Sequence, residues 1–84
     1  MGISKVVECT EDRFLRVVYE LADKRAKHSV AFADAQTKAG HSETEADRVC
    51  GFWADRGILE FPRVNHIALT HMGLRKAQRL TSTG

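Results

Sequence analysis

Between Phe14 and Ala26 apolar residues return at helical spacing. Phe14, Leu15, Val18, Leu21 and Ala22 recur three or four positions apart, which predicts an amphipathic helix. Thr10 is placed to cap it, with Glu11 and Asp12 in a first turn where the helix dipole favours negative charge. Val17, Tyr19 and Ala26 widen the apolar arc to roughly 200° at about 100° per residue. Such an arc is covered either on two sides within one domain or on one flank by a second subunit. After the basic junction Lys24, Arg25, Lys27 and His28, Ser29 is expected to cap a short Ala-rich helix. Phe32, Ala35 and Ala39 face inward on it, and Gly40 ends it in the left-handed conformation. Ser42-Glu43-Thr44-Glu45 has the spacing of a capping box. The helix it opens, Ser42 to Arg56, carries Ala46, Val49, Cys50 and Trp53 on one face and stops at Gly57.

Past Gly57 the period shortens. Leu59 and Phe61 alternate with Glu60, and a second short apolar run covers 66–69. Pro62, Arg63, Val64 and Asn65 supply the turn of a small hairpin. Thr70 then caps a last helix with Leu74, Ala77 and Leu80 inward and Arg75, Lys76 and Arg79 outward. The expected fold is mainly α with a small β-hairpin (α+β), in the order helix, helix, helix, hairpin, helix. One domain spans 1–84, with its core over about 10–80 and residues 1–9 and 81–84 less ordered.

Two helices joined by about three residues around a glycine form a helix-turn-helix signal. The run Ser42 to Glu60 (SETEADRVCGFWADRGILE) resembles a recognition helix leading into a wing. Ile67-Ala68-Leu69-Thr70-His71-Met72-Gly73 resembles the second wing strand and the start of the helix after it. Together they are similar to the winged helix-turn-helix domains of bacterial and archaeal transcription regulators, MarR-like proteins among them. The resemblance covers nearly the whole chain. It implies three helices, a two-stranded wing and a C-terminal helix, with double-stranded DNA as partner and transcription regulation as function. Winged helices also serve as protein-binding adaptors, which is the alternative function.

The third helix bears the candidate chemistry. With Ala46, Val49, Cys50 and Trp53 turned inward, Thr44, Arg48 and Gly51 fall on the opposite face. Those three are the expected base readers, Arg48 having the donors to grip a guanine and Gly51 letting the helix sit close to the groove. Phosphate contacts are expected from Lys27, Lys38, Ser42, Arg63 and Arg75. Glu43, Glu45 and Asp47 surround the reading face and repel phosphate, so the same helix offers an acidic face to a protein partner. A single module reads few base pairs, which argues for a homodimer.

Composition narrows the classes further. The 84 residues are 43% hydrophobic with a net charge of +2, an ordinary globular balance. The charge is uneven: residues 41–60 carry −3 and residues 61–84 carry +4 with no acid at all, which suits an anionic contact such as phosphate. No run approaches the roughly 20 apolar residues of a membrane span, and the first eight residues lack a secretory apolar stretch. Two cysteines are too few for a disulfide scaffold, and a cytoplasmic protein is expected. No metal-ligand spacing, phosphate loop or nucleophile elbow occurs. The expectation is a non-enzymatic protein with no cofactor and no metal.

Overall fold

The computed structural model describes residues 9–81, so the expectations for 1–8 and 82–84 lie outside the described residues. Within that span the chain is mixed α and β. Four helices pack with a three-stranded antiparallel sheet: α1 (Thr10–Leu21), β1 (Val30–Ala31), α2 (Phe32–Ala39), α3 (Glu43–Asp55), β2 (Leu59–Arg63), β3 (His66–Leu69) and α4 (His71–Thr81).

Helix α1 begins at Thr10, the residue expected to cap it, so its cap position falls one residue earlier. Cys9 is the extended N-cap residue and Thr10 is already helical; no side chain caps this end. The helix also ends at Leu21 rather than Ala26. Asp23 and Lys24 take φ of +58° and +60°, and the Lys24 N–H donates to the Tyr19 carbonyl at 2.9 Å. That is the left-handed closure a glycine usually supplies, built here from residues that reach it at a cost.

The sheet is larger than the expected hairpin. Val30 pairs with Ile67 and Ala31 with His66, so β3 is the central strand in the order β1-β3-β2. Ser29 therefore caps nothing: the chain is in strand at Val30, and Ala31 is the N-cap residue of α2. Strand β2 runs through Pro62 to Arg63, with a register irregularity between Glu60 and Arg63, and the turn narrows to Val64 and Asn65. Proline is tolerated there because β2 is an edge strand, where a missing N–H breaks no central ladder.

The other ends follow the expected chemistry. Gly40 closes α2 at φ +74°, and the Ser42 hydroxyl accepts the Glu45 N–H at 3.1 Å to start α3. The Thr70 hydroxyl accepts the Gly73 N–H at 3.0 Å at the start of α4 and donates to the Gly57 carbonyl at 2.6 Å. One side chain thus starts the last helix and holds the base of the hairpin to it.

Phe14, Leu15, Val18, Val49, Cys50, Ile67 and Leu69 form the centre of the core. Trp53 is 4% exposed, and its indole N–H donates to the Glu11 carbonyl at 2.9 Å, tying α3 to the start of α1. The wide arc of α1 is covered within the chain: Val17 is 7% and Tyr19 8% exposed. Lys76 is also not where the pattern of α4 places it. Its ammonium lies 5.6 Å from the centre of the Trp53 ring, while Arg75 and Arg79 are exposed as expected.

Candidate nucleic-acid interface

Helix α3 buries Ala46, Val49, Cys50 and Trp53 and leaves Glu43, Thr44, Asp47, Arg48, Gly51 and Asp55 exposed. The inward stripe read from the sequence is the one that packs, which fixes the outward face. Thr44, Arg48 and Gly51 all stand on it, and a side chain added at Gly51 would meet nothing within 4 Å. Ser42 is spent on the cap at the helix start.

Arg48 is not a free cation. Its Nε and Nη2 donate side-on to the Glu45 carboxylate at 3.3 and 2.7 Å, and its Nη1 donates to Glu11 at 3.1 Å. Glu45 therefore does not complete the capping box, because both of its oxygens face Arg48. A guanidinium has five N–H donors, so three are engaged and two remain. The ion pair to Glu45 holds that carboxyl below its ordinary value of about 4.5. Glu11 is lowered too, first by a backbone hydrogen bond at its own position and then by Arg48. Arg48 is raised in turn, chiefly by Glu45.

The sign of the pH dependence follows. Carboxyls lowered in the folded chain stabilise it fully above about pH 4.5 and lose that contribution as pH falls through their folded values. Thermal unfolding followed by circular dichroism is expected to show a steeper fall in midpoint below pH 4.5 for the native chain than for Arg48→Gln. Identical acid profiles for the two would contradict the three-residue cluster as a source of stability.

The remaining cations are dispersed. Arg63 is exposed near the hairpin tip, paired in register with His66. Lys27 is exposed but bonded to Glu60 at 3.0 Å, at the base of the sheet. Lys38 stands exposed on α2 and Arg75 on α4. The cations of the phosphate set thus lie on α2, β2, α4 and the loop before β1 rather than gathering on one element. The hairpin also exposes Phe61 (56%) and Val64 (82%), which alternation along so short a strand did not single out.

No family model, no curated protein and no solved structure matches the chain.

Two further groups concern chemistry. Cys9 and Cys50 are both free; burial, and then the nearby Asp47, push the Cys50 thiol up to about 12. Such a thiol stays protonated and unreactive at neutral pH. Among the described residues no group of three or more His, Cys, Asp or Glu is placed to hold a metal ion, and no helix is long and apolar enough to cross a membrane.

Proposed function

We propose that the chain is a winged helix-turn-helix protein that binds double-stranded DNA and regulates transcription from the cytoplasm. The observation that carries this reading is the uncovered outer face of α3, with Thr44, Arg48 and Gly51, standing beside an exposed hairpin. The element order supports it. Helix α2, the left-handed Gly40, α3, the β2–β3 hairpin and α4 follow one another as the family resemblance implies, with β1 added to the sheet.

In this reading α3 enters the major groove and the hairpin lies along the backbone. Arg48 arrives already oriented by Glu45 and Glu11, which lowers the entropy lost when its two remaining donors meet a base. Arg63 and Arg75 contact phosphate, with Lys38, Lys27 and Ser42 in supporting positions. The reading includes no catalytic step and no cofactor. A homodimer belongs to it because one module spans few base pairs, and paired half-sites raise specificity. The apolar arc of α1 no longer argues for that dimer, since Val17 and Tyr19 are covered by the chain itself.

A second reading, a winged-helix adaptor for a protein partner, is favoured by the exposed acids Glu43 and Asp47 on the same helix, which have no hydrogen-bond or ion-pair partner among the described residues. Duplex binding measured over a salt series separates the two. On the DNA reading, Arg63→Ala weakens binding to all sequences alike and reduces the log–log salt slope by about one. Arg48→Ala costs about 1–3 kcal/mol at a specific site and relaxes preference at one position. Absence of duplex binding at low salt rejects the DNA reading and leaves the adaptor.

A further inference from the structure

Glu43 and Asp47 lie four residues apart on α3, which places them on one face, and neither makes a hydrogen bond or ion pair among the described residues. Glu45, two residues from each, is consumed by Arg48. The acidic surface that remains is therefore small and specific in position.

That surface is one wall of a cleft between α3 and the sheet, with a volume of about 250 Å³. Phe32 and the exposed Phe61 supply aromatic walls, and Cys50 and Ile67 the floor. His66 lines it as well. Its Nδ1 lies 2.8 Å from the Val64 carbonyl, which can only accept, so neutral His66 carries its proton on Nδ1 and keeps Nε2 as an acceptor. Two carboxylates, two aromatic rings and an imidazole acceptor are complementary to one chemical group: a cation with several N–H donors. Carboxylates pair with a guanidinium through charge-assisted hydrogen bonds, and aromatic faces attract it through their quadrupole.

The cleft alone falls below the roughly 300–1,000 Å³ of sites that enclose a drug-sized ligand and has room for a single long side chain, while a larger depression of about 450 Å³ adjoins it. This depression, sharing Phe32, Glu43, Asn65 and His66, continues past Ala33 and Gln36 of α2. A trough leading out of a one-side-chain cleft fits a polypeptide whose backbone runs on beyond the inserted residue.

We propose that this cleft receives an arginine side chain from a protein partner, held between Glu43 and Asp47 against Phe61. The site lies on the same helix as Arg48, beside its face, and the proposal rests on the adaptor reading rather than on the DNA reading. A blocked pentapeptide, Gly-Gly-Arg-Gly-Gly, titrated into the isotope-labelled chain at pH 7.5 and followed by amide chemical shifts, tests it. Saturable shifts are expected at Phe32, Asp47, Phe61 and His66, with a millimolar midpoint. The same peptide with neutral citrulline in place of arginine is expected to bind about tenfold more weakly. Asp47→Asn should weaken the arginine peptide by a similar factor while its other amide positions keep the native spectrum, showing that it folds.

Equal shifts from the citrulline peptide would overturn the proposal. So would shifts spread evenly over the distant acids Asp12, Glu20 and Asp23, or an unchanged midpoint in the folded Asp47→Asn chain. Magnesium chloride reproducing the same shifts at the same midpoint would replace the side chain with a bare cation, and would equally reject it.

Discussion

Trp53→Ala is expected to lower the free energy of unfolding by about 3–5 kcal/mol, the range for truncating a large buried aromatic. Four losses coincide. The ring leaves a cavity where it was 4% exposed, the Glu11 carbonyl loses its indole donor, and Lys76 loses the ring beneath its ammonium. Phe52, which meets Trp53 edge-on at 4.9 Å between ring centres, loses its partner as well. A loss of this size is a large share of the roughly 5–15 kcal/mol typical of whole domains, so the variant's margin against unfolding would be much reduced. Urea denaturation followed by circular dichroism measures it without relying on tryptophan emission. A midpoint equal to that of the native chain would show that α3 is not held to α1 through this residue.

Gly73→Ala is expected to destabilise the chain by about 3 kcal/mol, from overpacking rather than from a cavity. A β-carbon at Gly73 would overlap the Ile58 carbonyl oxygen and press on the Ile58 side chain at 3.3 Å. The carbonyl cannot readily turn aside, because it accepts the Thr70 N–H at 3.0 Å. For a domain of this size the melting temperature should fall by roughly 12–24 °C. Gly51→Ala is the internal control. Nothing lies within 4 Å of a β-carbon there, and an exposed helix interior gains up to about 1 kcal/mol from the exchange. Equal effects of the two substitutions would contradict the close approach of α4 to Ile58, just before β2.

Most of the helical framework was legible because its signals are side-chain chemistry at fixed spacing. Ser42, Gly40 and Thr70 mark ends through hydrogen bonds and backbone freedom that a sequence displays directly. The early end of α1 was hidden, since Asp23 and Lys24 adopt the left-handed conformation without a glycine to announce it. Strand β1 was hidden for another reason: two residues cannot show an alternation, and its pairing to Ile67 and His66 is decided 37 and 35 residues away. Around the candidate site, the outward face of α3 followed from periodicity alone. What periodicity could not reveal was the engagement of Arg48 by Glu11, 37 residues distant, and of Lys27 by Glu60, 33 residues distant. Charge counts treat those four residues as independent, and folding makes them two pairs.

Strand β2 is the free edge on one side of the sheet, and its composition governs how the molecule behaves in a crowded solution. An open strand edge carrying Phe61 and leading to an exposed Val64 in the turn would ordinarily invite a neighbouring molecule to add a strand. Here the invitation is blocked three times over. Pro62 offers no N–H, the register slips between Glu60 and Arg63, and both of those residues bring a charge to the edge. The opposite edge, β1, is only two residues long before the chain turns into α2. Fibril-like stacking of copies is thereby disfavoured at both ends of the sheet, and the hairpin keeps its apolar tip exposed without the usual aggregation hazard.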